Sequence, residues 1–95
     1  MAMKERYCIM PDSISTKHLI QLLRDNPRAE IEAHAVVMGV RFTYTFQYDN
    51  LGNNLYVEYD NGSEDCQSLH WLMSFFPSTF WIVDNIVKGV RYAER

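Results

Sequence analysis

The clearest alternation of hydrophobic and polar positions runs from Glu30 to Asp49. Apolar residues first occupy odd positions, from Ile31 to Val37, and then even positions, from Val40 to Tyr48. Side chains alternate between the two faces of a strand, so both halves face one core only if a turn or an extra residue intervenes. Gly39 lies at the inversion and tolerates the backbone conformations of tight turns and bulges. The pattern therefore predicts two strands joined near Gly39, or one long strand with a bulge there.

A first helix is predicted between Ser15 and Asn26. The Ser15 hydroxyl can accept hydrogen bonds from the amides of the first turn, and Ile14 can pack against Leu19 as a hydrophobic staple. Apolar residues then recur at helical spacing, at Leu19, Leu22 and Leu23. The helix is expected to end at Asn26, because a residue before proline avoids the α region.

A second helix is predicted before Pro77. Ser63, Asp65 and Ser68 are all candidate N-caps. The residues that recur at three- and four-residue spacing are Cys66, Leu69, Leu72, Met73 and Phe76. This periodicity favours a helix that Pro77 terminates.

Three further segments have the composition of strands. Residues 5–10 form a short apolar run that Pro11-Asp12 ends, and residues 55–60 alternate before the tight turn at Asn61-Gly62. Residues 78–92 predict one long strand or a strand pair, although a helix beginning at Ser78 also matches the spacing.

This order of elements predicts an α+β fold. We expect a small antiparallel sheet of about four or five strands with two helices packed on one face, and a ferredoxin-like order is the first expectation. The chain has 95 residues, which predicts one domain over residues 1–95. No stretch approaches the roughly 18 apolar residues of a membrane helix, and the first residues show no secretory signal, so a cytoplasmic location is expected.

Charge is concentrated in the middle of the chain. The formal net charge is −3 and the sequence pI about 5.5, so the bulk electrostatics of a duplex DNA binder are absent. Between residues 29 and 65, seven acidic residues oppose Arg41 alone. Such a segment can be a solvated surface that keeps the protein soluble, or an acidic face that docks a basic partner.

The cysteines and histidines predict no metal centre. Cys8 and Cys66 lie 58 positions apart without a C-x-x-C motif, so we expect both to be buried as small hydrophobic residues. Cys66 and His70 would share a helix face at a spacing able to supply two metal ligands. A structural zinc site needs four ligands, and no others are evident nearby. No metal and no cofactor are therefore expected.

Motifs for catalysis and phosphate binding are also absent. The sequence contains no G-x-S-x-G, no G-x-G-x-x-G and no Walker motif. Asp60, Glu64 and Asp65 place three carboxylates around one turn, but without the spacing of an EF-hand loop. We therefore predict no catalytic residue, while an enzyme assembled at a dimer interface, with His34 or His70 meeting carboxylates of a second chain, remains an alternative.

Aromatic residues form two groups with different expected roles. The first group alternates along one predicted strand and comprises Phe42, Tyr44, Phe46 and Tyr48. We expect this stripe to face the core and pack against the helices. Stacking on RNA bases is not expected, because the sequence lacks the RNA-recognition signature. A second group crowds around Pro77, at Trp71, Phe75, Phe76, Phe80 and Trp81. A small core has limited room for all of them, so a surplus would form an apolar patch suited to homodimerisation.

The interpretation that unites these features is a small non-enzymatic protein-binding module, a regulator or inhibitor of the kind that phages and mobile elements encode. Its predicted binding surface is acidic and aromatic, and consists of Tyr56, Glu58, Asp60, Glu64, Asp65 and Trp71. The alternative is a domain that binds a small ligand or nucleotide in a pocket between sheet and helices, lined by Tyr44, Tyr56 and Trp71. Neither interpretation involves duplex DNA or a membrane.

Overall fold

The computed structural model describes residues 13–88 of the chain. In chain order the elements are β1 Ile14–Ser15, α1 Thr16–Asp25, β2 Glu30–Val37, β3 Val40–Asp49, β4 Asn54–Glu58, β5 Glu64–Gln67, α2 Leu69–Phe75 and β6 Phe80–Val87. The strands form one sheet in the order β1-β6-β2-β3-β4-β5, and every neighbouring pair is antiparallel.

The α+β class and the antiparallel sheet are confirmed, but the strand count and order differ from expectation. The sheet has six strands among residues 13–88 instead of four or five. The ferredoxin-like order is not confirmed, because β2 to β5 are consecutive neighbours and β6 is inserted between β1 and β2. The strand predicted over residues 5–10, with Cys8, lies outside the described residues.

Local signals correctly located the first helix. Ser15 caps α1 by accepting a hydrogen bond from the His18 amide at 3.2 Å. Leu19 and Leu23 are fully buried on one side of the helix. The Asn26 amide donates to the carbonyl oxygens of the last turn, and Pro27 follows. The first helix therefore begins and ends where the capping and proline signals predict.

The second helix begins later than its apolar spacing suggests. Ser68 is the N-cap and accepts a hydrogen bond from the Trp71 amide at 3.0 Å. Cys66 lies before this cap in β5, where it pairs with Tyr56 and is exposed. The expectations of a helical and buried Cys66 were therefore wrong, because cross-strand pairing with β4 takes precedence over the helical periodicity. Cys66 and His70 consequently share no helix face.

The inversion of the alternation at Gly39 is a two-residue hairpin turn. Val37 pairs with Val40, and the two residues between them, Met38 and Gly39, have φ of 53° and 81°. Positive φ at both central residues is typical of the type I′ turn, whose twist matches that of the flanking strands. The prediction of two strands joined near Gly39 is confirmed.

Both helices pack on the same face of the sheet, over the aromatic stripe. Phe46 and Tyr48 are buried there, and Phe42 and Tyr44 pack at the margin of the same core. Residues of both helices, Leu19 and Leu72 among them, belong to this core as well. The stripe therefore faces the core, as expected, and neither helix of residues 13–88 covers the opposite face.

The last described segment is a single strand, which resolves the alternatives left open for residues 78–92 as far as Val87. Trp81 of β6 points into the core and is fully buried. The pairing of β6 with β2 shifts at Asp84, so Asp84 is an extra residue between Val83 and Asn85. This bulge re-aims the Asp84 side chain toward its neighbour on β2.

Candidate functional site

The candidate functional site is the sheet face that carries no described helix, here called the open face. Its side chains alternate with the buried ones, so their positions follow from the strand register. Across the strands, three groups of neighbours lie side by side: Ile82, His34 and Thr43; Asn85, Glu32, Thr45, Glu58 and Glu64; and Val87, Glu30, Gln47, Tyr56 and Cys66.

A concavity of about 390 Å³ lies at the β4–β5 end of the open face. Its walls include the four acidic residues Glu30, Glu58, Glu64 and Asp65, together with Tyr56 and Cys66. Thr45 and Gln47 of β3 also line it. A concave surface this rich in carboxylates attracts cations and repels phosphates.

Four residues of the predicted binding surface come together at this concavity. Tyr56, Glu58, Glu64 and Asp65 all line it. Glu58 and Glu64 are exposed and directly opposite each other in the β4–β5 pair. Two like charges at a cross-strand pair repel each other, and here they concentrate negative charge at the wall of the concavity.

Asp60 and Asp65 also have structural roles. The Asp60 carboxylate accepts a hydrogen bond from the Thr43 amide at 2.8 Å, and so continues the bonding of β3 beyond the end of β4. The Asp65 carboxylate accepts hydrogen bonds from the Cys66 amide at 3.1 Å, the Gln67 side-chain amide at 2.9 Å and the Tyr59 hydroxyl at 3.3 Å. These carboxylates hold the β4–β5 hairpin in place, whereas no described residue donates a hydrogen bond to the side-chain carboxylate of Glu58 or Glu64.

Trp71 lies apart from the other predicted residues. It is on α2, on the helix side of the sheet, with its ring centroid 5.6 Å from that of Phe75 and 5.8 Å from that of Phe76. Tyr56 points to the open face, between the buried residues Leu55 and Val57. Sheet and helices are in direct contact through the core, and the concavity that Tyr56 lines is on the opposite face from Trp71.

Two tyrosines on the helix side are shifted toward their neutral form. The ring centroids of Tyr44 and Tyr59 lie 5.0 Å apart. Burial, followed by the charge of Tyr59 and that of Asp60, raises the pKa of Tyr44. Burial also raises the pKa of Tyr59, against a lowering hydrogen bond from Gln67. Both phenols are therefore neutral hydrogen-bonding groups near pH 7 and contribute no charge to the acidic site.

His34 meets a carboxylate of its own chain. Its Nδ1 lies 2.8 Å and 3.0 Å from the two carboxylate oxygens of Asp84. The bulge in β6 makes this contact, and it links β6 to β2 on the open face. Sequence reasoning paired His34 with a second chain and missed Asp84, because no local pattern reveals which strand lies beside β2.

The corner of the open face farthest from the concavity is apolar. Val36 and Phe80 are exposed there, and Ile82 is the cross-strand neighbour of His34. Continuing the pairing of β2 with β6 by two residues places Val36 beside Phe80, and exposed Arg41 of β3 is the neighbour of Val36 on its other side. Sequence reasoning missed this group, although the polar residues alternating with the aromatic stripe indicate which side of β3 is open.

No protein-family model matches this chain, no curated protein matches its sequence, and no solved structure matches its fold. Neither helix of the described part of the chain is long and apolar enough to cross a membrane. Residues 13–88 contain no group of three or more histidine, cysteine or acidic residues arranged to hold a metal ion.

Proposed function

We propose that this protein is a non-enzymatic protein-binding module that docks a basic partner on its open face and regulates or inhibits that partner by occupying its surface. The observation that carries the proposal is the acidic concavity on the sheet face without a described helix, with exposed Glu58 and Glu64 at its wall.

The chemistry of the concavity favours lysine or arginine side chains. Its volume of about 390 Å³ is large enough to admit such side chains. The carboxylates of Glu58 and Glu64 receive no hydrogen bond from described residues, so a cationic group of the partner can bond to them without breaking a hydrogen bond of the fold. Complementary charge of this kind accelerates encounter and selects against acidic partners.

Nucleic acids are disfavoured as partners by the same charge. A phosphate backbone would approach Glu58, Glu64 and Asp65 at the concavity, and Glu32 beside it. Proteins that bind nucleic acids neutralise phosphates with lysine and arginine, and Arg41 is the one such residue on β2 to β5. The open face therefore suits a basic protein surface.

The test compares charge reversals on the open face with one elsewhere. Glu58→Lys and Glu64→Lys each change the net charge by two and remove no hydrogen bond between described residues. Asp25→Lys on α1 is the control for charge, because Asp25 is exposed on the helix side and its charge change is the same, although it removes one exposed hydrogen bond from the Gln21 side chain. Each variant serves as bait in nuclease-treated native extract, and the retained protein is then purified and its Kd measured by calorimetry.

We expect one basic protein to be retained by the wild type and the Asp25→Lys variant, and its Kd to rise at least tenfold for Glu58→Lys and Glu64→Lys. Equal Kd values for all four proteins, each shown to be folded by circular dichroism, would contradict the proposal. Retention of no protein by the wild type would contradict it as well.

The concavity also supports a second candidate function, the binding of a small cationic molecule. Its volume falls within the range of about 300–1,000 Å³ seen for ligand pockets. Mass spectrometry of small molecules released from the purified protein tests this candidate. A cationic metabolite that raises Tm of the wild type but not of Glu64→Lys would support it.

A further inference from the structure

We infer that the partner presents an amphipathic helix to the open face, with its apolar residues on the corner formed by Val36, Phe80 and Ile82 and its basic residues at the concavity. This inference rests on the proposed function and specifies the binding element. It explains why one sheet face is acidic at one end and apolar at the other.

The apolar corner is unusual for a solvent-facing surface. Phe80 is 62% exposed and Val36 61% exposed, on neighbouring strands and on the same face. Ile82, two residues along β6, extends the group toward His34. Adjacent large apolar side chains, flanked by polar ones, are the composition of a protein interface.

The distance between the two ends suits a short helix. Ile82 and Glu58 are three strand spacings apart across the sheet and two residues apart along the strands, which corresponds to roughly 15 Å. Phe80 is two residues farther along β6, roughly 20 Å from Glu58. A helix rises 1.5 Å per residue, so about 10–14 residues span this distance. A helix packed across the open face would add the layer that α1 and α2 provide on the other side.

Charge favours this occupant over a dimer in which the two acidic ends meet. A twofold dimer through the open face would bring the two acidic ends together in one arrangement, which costs free energy, and in the other would place each acidic end on the corner where Arg41 lies beside Val36. A helix with lysine or arginine at one end and apolar residues at the other complements both ends. Dimerisation of the protein is therefore an outcome that the test must detect.

The probes are synthetic 18-residue peptides. The first contains leucine on one helical face and lysine on the other. The second has the same composition in a scrambled order that forms no apolar face, and the third replaces every lysine by glutamate. Binding to the ¹⁵N-labelled full chain is followed by NMR titration, with sedimentation velocity in parallel to measure the oligomeric state.

Two phenylalanines provide a matched pair of variants. Phe80→Ser removes an apolar side chain from the open face, while Phe75→Ser removes one that is 67% exposed on the helix side. Val36→Ser is a second test at the same corner, in case Phe80→Ser alters pairing with β1. Glu64→Lys reports separately on the acidic end.

We expect the amphipathic lysine peptide to bind at least tenfold more tightly than the scrambled one, and the glutamate peptide not to bind. Phe80→Ser and Val36→Ser should each weaken the amphipathic peptide at least fivefold, with Phe75→Ser within twofold of wild type. Glu64→Lys should weaken both lysine peptides.

Equal binding of the amphipathic and scrambled peptides, both weakened by Glu64→Lys, would overturn the helix inference and leave the proposed function standing. Lysine peptides that bind independently of Glu64, or not at all, would overturn both. A concentration-dependent dimer that Phe80→Ser dissociates would show that a second copy occupies the corner, and would also overturn the inference.

Discussion

At the scale of single residues, Thr16 joins three separate parts of the fold. It is 1% exposed, and its hydroxyl donates to the carbonyl oxygen of Phe76 or Thr79. The Thr16 hydroxyl oxygen also accepts a hydrogen bond from the Trp81 indole N–H at 2.9 Å. One hydroxyl thus fastens the start of α1 to the end of α2 and to β6, and it satisfies the polar atom of a buried tryptophan.

Replacement of this hydroxyl by a methyl group is expected to be costly. Thr16→Val keeps the shape but leaves the buried Trp81 indole N–H without a partner, which costs about 1–3 kcal/mol. The Phe76 carbonyl keeps its hydrogen bond from the Thr79 amide. Thr16→Ser keeps the hydroxyl and loses one methyl group, at about 0.8 kcal/mol. Urea denaturation of both variants tests this, and a Thr16→Val variant as stable as Thr16→Ser would contradict it.

Sequence reasoning had no means of finding this hydrogen bond. Thr16 follows the Ser15 cap and so appears as an ordinary first residue of a helix, and Trp81 lies 65 positions away. Local patterns report neighbours up to about four residues apart, whereas the partner of a buried hydroxyl is chosen by the packing of distant elements. The cap itself was predictable for the same reason, because Ser15 and His18 are three residues apart.

At the scale of elements, predictions succeeded where a local signal marked the boundary and failed where two signals competed. Ser15 and Pro27 delimit α1 without ambiguity. For α2, the apolar spacing from Cys66 continues across Ser68, so Ser63, Asp65 and Ser68 compete as N-caps and Cys66 is wrongly placed in the helix. The deciding contact is the pairing of β5 with β4, and the turn at Asn61-Gly62 was its sole local sign.

The turn between β2 and β3 allows one stabilising and one destabilising substitution to be predicted. Met38 is 97% exposed and has a φ of 53°, a conformation that Asn adopts more readily than Met. Met38→Asn should therefore stabilise the protein by about 0.5–1 kcal/mol. Gly39→Ala should destabilise it by about 1–2 kcal/mol, because its φ of 81° disfavours a Cβ.

The second substitution separates backbone strain from crowding. A Cβ at Gly39 would meet no atom within 4 Å, so the expected loss comes from φ alone. Thermal unfolding of both variants measures the effect. A Met38→Asn variant less stable than wild type would show that the exposed Met38 side chain makes a contact worth more than the relief of strain.

At the scale of the whole molecule, the sequence revealed the charge of the site but not which residues share a face. The concentration of acidic residues between positions 29 and 65 was visible, and four predicted residues do line one concavity. The position of Trp71 on the other side of the sheet was missed, although the alternation of Leu55 and Val57 with Tyr56 and Glu58 indicates that the latter two face away from the core. The apolar corner depends on β6 lying beside β2, which topology decides.

One pair of residues on the open face is expected to lower the stability of the fold. Glu58 and Glu64 are directly opposite each other on β4 and β5, and like charges in a cross-strand pair destabilise a sheet. A sequence selected for stability alone would place opposite charges there. Retaining two carboxylates is consistent with a site whose charge serves a partner, a trade between stability and function seen at many binding sites.

Glu64→Gln should therefore stabilise the isolated protein while weakening its interaction with a basic partner. The expected gain is about 0.2–1 kcal/mol, near the lower end because both residues are exposed. Glu32→Gln is the control, since the cross-strand neighbours of Glu32 are Thr45 and Asn85, and its stability should stay close to wild type. Unfolding in urea at low salt measures the gain, and added NaCl should narrow the difference between Glu64→Gln and wild type, because salt screens the repulsion. A Glu64→Gln variant that is no more stable than Glu32→Gln at low salt would show that the carboxylates of Glu58 and Glu64 do not repel each other measurably. Their pairing would then give no evidence that stability is traded for binding.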